Sequence, residues 1–293
     1  MIRVLTGIVR HPLNKHRPLA ALGRFLTWQL GTRLLGAPVA VPFAGSTRLL
    51  VRRGMAGATG NIYYGLQEFE DMAFVAHVLR PADLFVDVGA NVGSYTVLAA
   101  GVSGAHCVAL EPVPATYGNL LDNVHLNDLM SRVRCHNVAA GNEAGTLTFT
   151  ANLDALNHAV SESDAGGTTL QVPVTTLDSL LEAQPTLIKI DVEGFETRVI
   201  EGAGQTLSSP TLLAVLMELN GSGRRYGFDE TLLHERMLSL GFQAVSYDPI
   251  ARALTKRQLN GRCEGNMIYV RRWNEVESRI KAAERIHVRG SSL

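Results

Sequence analysis

The chain has 293 residues, of which 46% are hydrophobic and 18% are charged, and its formal net charge is zero. A chain of this length and composition buries a sizeable core, which excludes wholesale disorder and fits one large α/β domain with an added segment. The charge is unevenly distributed, because nine Lys or Arg and no acidic residue precede Glu68. Such a segment suggests an anionic neighbour, either a membrane surface or an acidic substrate.

Residues 1–66 are predicted to be a basic extension made of a helix and a short hairpin. Pro18–Leu35 is predicted to be an amphipathic helix, and Val39–Val41 and Arg48–Arg52 are predicted to pair as the hairpin. Packing of this helix on the domain is the favoured interpretation, and peripheral contact with a membrane is the alternative. The residues that can share its apolar face are Leu19, Leu22, Phe25, Leu26, Leu30 and Leu34.

The cysteines and the start of the chain favour a cytosolic protein. Cys107, Cys135 and Cys263 are far apart and form no C-x-x-C pair, which favours reduced thiols over a disulfide framework. The first residues lack the pattern of a signal peptide, and charged or polar residues interrupt the apolar stretch that follows, so a membrane-spanning helix is not expected.

Residues 67–293 are predicted to form the main domain, in which strands and helices alternate. The alternation predicts a doubly wound, mostly parallel sheet with right-handed crossovers and helices on both faces. The predicted strands are Leu84–Val88, His106–Leu110, Arg132–Ala139, Leu187–Ile190, Leu212–Leu219, Ala244–Tyr247 and Met267–Val270. The predicted helices are Glu68–Leu79, Tyr95–Ala100, Pro114–Leu126, Phe195–Glu201 and Asp229–Leu240. Thr146–Thr150 and Thr169–Val174 are predicted to be an inserted hairpin around the polar loop Asn152–Gly167.

Polar side chains recur where the predicted strands end. Ligands of such sheets bind outside the carboxyl ends of the strands, near the point where the strand order reverses. Several carboxylates at one edge therefore predict a site there. The polar residues at these ends are Asp87, Glu111, Asn137, Asp191, Glu193, Glu218 and Asn220.

The loop after the first strand of the main domain indicates which cofactor binds. Gly89 and Gly93 permit a tight turn, but Asn91 and Ser94 replace the other glycines of the dinucleotide fingerprint G-x-G-x-x-G. A pyrophosphate needs the second of those positions bare, and Asp87 would repel phosphate while attracting an ammonium group. S-adenosylmethionine, which has an ammonium group and no phosphate, meets both conditions.

Glu111 ends the second strand of the main domain, 22 residues after Gly89. An acidic side chain at this place accepts hydrogen bonds from the ribose hydroxyls of an adenosine. The alternative interpretation is that Glu111 caps the helix that follows Pro112.

Three runs of the sequence resemble the FkbM-type methyltransferase family: Asp87–Thr96, Glu111-Pro112, and Ile188–Glu196 with Ile200–Ala203. The resemblance covers about residues 68–220. It implies the class I methyltransferase fold, S-adenosylmethionine as cofactor, and methyl transfer to an oxygen, commonly a hydroxyl of a sugar or natural product. The cofactor positions that follow from it and from the loop are Asp87, Gly89, Asn91, Gly93, Tyr95, Glu111, Pro112, Asn137, Ala139 and Asp191.

Methyl transfer to a hydroxyl needs a group that takes the proton. Asp191 and Glu193 after the fourth strand and Glu218 after the fifth are the predicted candidates, and His158 in the polar loop is another. Asp191 can instead cap the following helix or hold the amino group of the cofactor. The three carboxylates can also bind a divalent ion, although the prediction is that no metal is required.

Four functions compete at this stage. The favoured one is an O-methyltransferase acting on a small-molecule, sugar or glycan hydroxyl. A nucleic-acid methyltransferase is disfavoured, because no Asn/Asp-Pro-Pro-aromatic motif follows the fourth strand and basic residues do not alternate with aromatics. Asn91 disfavours an NAD-dependent oxidoreductase, and the fourth function is a non-catalytic, membrane-associated binding protein.

Overall fold

The computed structural model describes residues 2–150, 158–160, 168–258 and 265–293. The helices are α1 (Ile2–Arg10), α2 (Pro18–Leu35), α3 (Ala56–Tyr64), α4 (Phe69–Val78), α5 (Ser94–Gly101), α6 (Pro114–Leu126), α7 (Leu177–Leu180), α8 (Glu196–Glu201), α9 (Gly204–Ser208), α10 (Glu230–Ser239) and α11 (Trp273–Ala282). The strands are β1 (Val39–Pro42), β2 (Arg48–Val51), β3 (Leu84–Val88), β4 (His106–Leu110), β5 (Val133–His136), β6 (Ala139–Ala140), β7 (Gly145–Thr150), β8 (Thr169–Thr175), β9 (Leu187–Ile190), β10 (Ala214–Glu218), β11 (Gln243–Asp248), β12 (Ala253–Lys256), β13 (Asn266–Val270), β14 (His287–Val288) and β15 (Ser291–Ser292).

An eight-stranded sheet in the order β12-β11-β13-β10-β9-β3-β4-β5 carries the site. The five strands from β10 to β5 pair in parallel, whereas β13 is antiparallel to both β10 and β11. The doubly wound, mostly parallel sheet is therefore confirmed. The chain runs outward from β3 through β4 to β5 and then returns to β9 on the other side of β3. The strand order thus reverses between β3 and β9, which is where a ligand is expected.

Apolar side chains cover the sheet on both faces. One core contains Phe85, Leu98 and Leu216, and a second contains Val86, Ile188 and Met217. Neighbouring residues of a buried strand point to opposite faces, so a strand such as β9, with four buried residues, contributes to both cores. This burial fixes the register of β3 and β9 and with it the position of the residues at their ends.

The third predicted strand, Arg132–Ala139, differs from the observed chain. Only Val133–His136 joins the large sheet as β5, and Asn137 leaves it before Ala139 and Ala140 pair with β8 in a separate three-stranded sheet. The inserted hairpin is confirmed as β7 and β8, which pair antiparallel in that smaller sheet. Of the polar loop Asn152–Gly167, all but residues 158–160 lies outside the described residues.

The N-terminal extension packs into the same core as the main domain. Leu49 and Val51 of β2 are fully buried, and the backbone N–H of Leu50 donates to Asn123 of α6 at 2.6 Å. The predicted hairpin is confirmed as the antiparallel pair β1 and β2, and the predicted helix as α2. Helix α3 was not predicted, and it brings the extension to the edge of the site described below.

The apolar face predicted for α2 is only in part the face that packs on the protein. Phe25 of that face contacts Tyr63, whereas Leu19, Leu26, Leu30 and Leu34 are exposed. The helix does pack on the domain, through Phe25 together with the buried Ala21 and Trp28. None of the described helices has both the length and the apolar content needed to cross a bilayer.

The thiols that the structure describes are free, as predicted. Cys107 is buried and Cys135 is half-buried, and neither forms a disulfide. Cys263 lies outside the described residues.

Candidate active site

The loop after β3 forms a turn in which three residues have left-handed backbone conformations. These are Gly89 (φ 76°), Asn91 (φ 52°) and Gly93 (φ 85°). A Cβ atom at Gly89 would lie 1.9 Å from the backbone oxygen of Asp191, so only glycine permits this approach of β3 to the end of β9. The side-chain oxygen of Asn91 accepts a hydrogen bond from the backbone N–H of Val92 at 2.7 Å, which stabilises the unusual conformation of the asparagine.

Glu111 at the end of β4 holds two segments of backbone. One carboxylate oxygen accepts from the N–H of Asn91 and the other from the N–H of Val113, each at 3.0 Å. Burial raises the pKa of this carboxyl to about 7, although both hydrogen bonds oppose the shift. Each oxygen has a further lone pair, so the capping role does not exclude a contact with ribose hydroxyls.

Two adjoining cavities open on this loop. The first lies towards β4 and β6, and its lining includes Glu111, Pro112, Val138, Ala139 and Phe149. Its walls are largely apolar, and its acidic groups are Glu111, Asp191 and Glu193.

The second cavity, of about 370 Å³, lies towards α3 and β10. Its lining includes Asn61, Tyr95, Lys189 and Glu218. Gly89, Asn91, Asp191 and Glu193 line both cavities, so the two are parts of one continuous site.

Lys189 joins the ends of β3 and β9. Its ammonium group lies 3.1 Å from the carboxylate of Asp191 and 3.7 Å from that of Asp87, and it donates to the backbone oxygen of Gly89 at 3.3 Å. Burial opposes the charge on Lys189, but Asp191 and Asp87 outweigh this effect and raise its pKa above the ordinary value. The site thus keeps a fixed positive charge beneath its acidic groups.

Asp87, one of the predicted cofactor residues, is set back from both cavities. Its side chain is fully buried, lines neither cavity, and accepts a hydrogen bond from Thr96 at 2.6 Å. The cation beside it is Lys189, and the geometry shows no open path from Asp87 to a ligand. The sequence alone does not reveal the pairing of Asp87 with Lys189, because the two residues are 102 positions apart (189 minus 87).

Three carboxylates meet where the two cavities join. Asp191, Glu193 and Glu218 each offer an oxygen, and these atoms all lie within 4.8 Å of one another. An oxygen of Glu218 is buried and accepts no hydrogen bond from any described residue. Burial, followed by the charges of Asp191 and Glu193, raises the pKa of Glu218 to about 8. When protonated, Glu218 can therefore donate its proton to a hydrogen bond with Asp191.

Glu193 completes the cluster from a left-handed conformation (φ 55°). Burial and the charge of Asp191 raise its pKa, while Arg225, His158 and Lys189 work in the opposite direction. His158 is therefore close enough for its charge to influence Glu193, although it lines neither cavity. It is buried in contact with Thr150 and is not a solvated loop residue.

Of the remaining predicted residues, one lines a cavity and two hold the surrounding structure in place. Tyr95 lines the second cavity and donates to Glu68 at 2.6 Å. Gly93 and Asn137 line neither cavity. Gly93 lets α5 pack closely, since a Cβ there would lie 2.6 Å from Leu120, and Asn137 donates to the backbone oxygens of Glu111 and Pro112.

Sequence reasoning missed three supporting groups. The first is Lys189, although it lies within Ile188–Glu196, one of the runs on which the family resemblance rests. The second is Glu196, which accepts from the N–H groups of Val192 and Gly194 and so holds the turn that presents Asp191, whereas Asp191 does not cap α8. The third is Asn61 of α3, which donates to Ser94 at 3.2 Å. The detectable signal for Glu196 was an acidic residue in the first turn of a predicted helix.

Comparison with known proteins identifies the family. The family model described as the methyltransferase FkbM domain matches residues 87–244, which is more than half of the chain. The chain belongs to the FkbM methyltransferase family. The FkbM domain thus includes the loop after β3, Glu111 and all three carboxylates of the cluster. Membership and the sheet order together give the class I methyltransferase fold that was predicted.

Two relatives match part of this FkbM domain. The hexuronic acid methyltransferase AglP of Haloferax volcanii is 27% identical over 137 residues, which are 45% of this chain and 55% of that protein. The methyltransferase sdnD of Sordaria araneosa is 26% identical over 188 residues, which are 49% of this chain and 73% of that protein. The chain thus spans about half the length of AglP.

A solved structure also matches. The methyltransferase FkbM from Methylobacillus flagellatus is 19% identical with a TM-score of 0.45, over 66% of this chain and 47% of that one.

Proposed function

We propose that this chain is an S-adenosylmethionine-dependent methyltransferase that transfers the methyl group to a hydroxyl oxygen of a small molecule, sugar, glycan or glycolipid. The observation that carries the proposal is the cluster of Asp191, Glu193 and Glu218 at the junction of the two cavities. A hydroxyl acceptor must lose a proton during transfer, and a carboxylate of this cluster can take it.

The residues of the first cavity fit the cofactor. Glu111 retains free lone pairs for the ribose hydroxyls, and Pro112, Ala139 and Phe149 give apolar walls for the adenine. The acidic cluster suits the two positive charges of the cofactor, on its ammonium and sulfonium groups. Asp191 is the carboxylate we assign to the ammonium group in place of Asp87, because it lines both cavities. When bound, the cofactor supplies an electrophilic methyl group.

The chain's own residues then hold the acceptor proton. Lys189 pairs with Asp191 at a distance of 3.1 Å, so the Asp191 carboxylate is fixed in place as a hydrogen-bond acceptor. Glu218 has the raised pKa and the buried unpartnered oxygen, and we assign it the proton of the attacking hydroxyl. Asp191 would steady the proton on Glu218 through the hydrogen bond described above.

A groove beside the cluster supports an acceptor that carries a sugar. Phe195, Tyr226 and Phe228 form a group of rings 5.3–6.3 Å apart, and the exposed Arg225 stands next to them. Aromatic faces suit the apolar side of a sugar ring, and a guanidinium binds a carboxylate through paired hydrogen bonds. AglP is a hexuronic acid methyltransferase by name, so an acidic sugar is the acceptor class we propose to test first.

The test is transfer of labelled methyl from S-adenosylmethionine to a panel of neutral sugars, hexuronic acids and glycans, with RNA and DNA as further arms. We expect label in the hexuronic acid arm, and we expect Arg225→Gln to lower transfer to acidic sugars more than to neutral ones. Arg236→Gln, in an exposed arginine of α10, is the control for general loss of charge. Labelling of nucleic acid alone would reject the proposed acceptor, and calorimetry showing no S-adenosylmethionine binding would reject the cofactor.

A further inference from the structure

Helix α2 is apolar on two opposite sides. One side packs on the protein through Ala21 and Trp28, which are buried, and through Phe25, whose ring lies 5.0 Å from that of Tyr63. Gln29 donates to the hydroxyl of Tyr63 at 2.8 Å on the same side. These contacts fix the helix on α3, so its other side has a defined orientation away from the core.

The opposite side is a stripe of exposed leucines. Leu19, Leu26, Leu30 and Leu34 are 82%, 57%, 61% and 84% exposed. Their spacing of seven, four and four residues places them on one side of the helix over about 22 Å. We call this surface the leucine face. Single exposed leucines are ordinary, but four in one stripe mark a surface that contacts something else.

Exposed basic residues lie on α2 and on the segment that leads into it. Arg33 precedes Leu34 and is exposed with it, and Arg10, Lys15 and Arg17 are exposed on the segments just before α2. Among the described residues, those before position 67 form one ion pair, between Arg52 and Asp122. Arg10, Lys15, Arg17 and Arg33 therefore form no ion pair with the described residues.

Exposed leucines together with exposed basic residues indicate which kind of partner binds the leucine face. A second copy of the chain would bring two basic surfaces together, which like-charge repulsion opposes. Anionic lipids attract the Lys and Arg side chains, and the boundary between headgroups and acyl chains takes up the leucines. We propose that the leucine face docks on a bilayer surface that contains anionic lipids. The helix lies in the plane of that surface, because its inner side stays packed on the protein.

Vesicle co-sedimentation of the full chain tests this docking without any measurement of methyl transfer. Vesicles of phosphatidylcholine with phosphatidylglycerol should bind the protein at least about tenfold more strongly than vesicles of phosphatidylcholine alone, and added salt should weaken this binding. Replacing the leucine face by glutamine should lower the partition coefficient by at least about tenfold. The changes are Leu19→Gln, Leu26→Gln, Leu30→Gln and Leu34→Gln.

A matched control exists in the same chain. Four other large hydrophobic residues are similarly exposed but lie outside the extension, and their replacement should leave vesicle binding unchanged. The control changes are Met130→Gln, Leu232→Gln, Leu238→Gln and Ile250→Gln. Circular dichroism and the melting temperature of both variants establish that they fold.

Three results would overturn the docking proposal. One is wild-type protein that stays in solution with the anionic vesicles. A second is equal loss of binding in the leucine-face variant and the control. The third is a lipid-free dimer, seen by light scattering, that the leucine-face variant converts to a monomer. Failure of methyl transfer would leave the vesicle result unaffected, so the two proposals fail separately.

Discussion

Glu111 and Glu218 are the same residue type at the ends of two strands of one sheet, yet their surroundings differ. Both oxygens of Glu111 accept hydrogen bonds from backbone N–H groups, of Asn91 and Val113. One oxygen of Glu218 is buried without such a bond from the described residues, and two further carboxylates lie beside it. The comparison teaches that the first group holds the shape of the site, while the second is left available to carry a proton.

The difference has an energetic basis. Burying a carboxylate costs free energy unless donors compensate, and the cost is largest where negative charges are grouped. At Glu111 two backbone donors offset part of the cost of burial. At Glu218 one buried oxygen has no such donor among the described residues, and groups of this kind cluster at functional sites.

The largest expected effect separates the two glutamates directly. Glu218→Gln should lower kcat by about 100-fold or more, because a general base contributes roughly that factor, while affinity for S-adenosylmethionine changes little. Steady-state kinetics and calorimetry measure the two quantities. Glu182→Gln, in an exposed residue paired with Arg134, is the control. A Glu218→Gln enzyme with wild-type kcat would show that the proton goes elsewhere.

The pH dependence of the wild-type enzyme sharpens the same assignment. A base must be deprotonated to act, and the pKa of Glu218 is raised to about 8, so activity should rise with pH and level off above that value. Asp191→Asn removes a neighbouring negative charge, so it should move the rise to lower pH as well as reduce turnover. A flat profile between about pH 6 and about pH 9 would contradict the assignment.

The next effect concerns Lys189, whose ammonium group lies between Asp87 and Asp191. Lys189→Met should lower the free energy of unfolding by about 3 kcal/mol, because it leaves the fully buried Asp87 without its partner. Urea denaturation measures the loss. Asp87→Asn combined with Lys189→Met should lose less than the sum of the single changes, because the buried charge is then removed as well. Additive losses would show that the two residues do not interact.

A smaller effect is expected at Glu111. Glu111→Ala should weaken S-adenosylmethionine binding about tenfold, as expected for a lost hydrogen bond to a charged group. Glu111→Gln keeps one acceptor oxygen and should give an intermediate affinity. Calorimetry on both variants, after their fold has been checked by circular dichroism, decides the matter. Unchanged affinity in Glu111→Ala would remove Glu111 from the ribose contact.

No effect is expected from removal of divalent ions. The cluster of Asp191, Glu193 and Glu218 has the donor atoms that a divalent ion accepts, but a bound ion would favour the ionised form of Glu218 and cancel its raised pKa. Methyl transfer should therefore be the same before and after treatment with a chelator. Activity that is lost on chelation and restored by Mg²⁺ would replace the proton-acceptor role with a metal site.

The sequence by itself determined most of the strands of the large sheet and the turn that follows β3. Strands such as Leu84–Val88 and Leu187–Ile190 are short apolar runs between turn residues, and they match β3 and β9. The glycines at 89 and 93 and the acidic residue at 111 have local meaning, because turn geometry depends on residues close together in the chain. Local pattern failed at Asn137, where the predicted strand Arg132–Ala139 divides between two sheets.

Only the tertiary structure decided which polar groups face a ligand. Asp87 and Asp191 look equivalent in the sequence, but Lys189 reaches both of them, and only Asp191 lines the cavities. The outward orientation of the leucine face was decided in the same way, by the packing of α2 on α3. Burial and charge pairing depend on residues distant in the chain, and the periodicity of one segment carries no information about them.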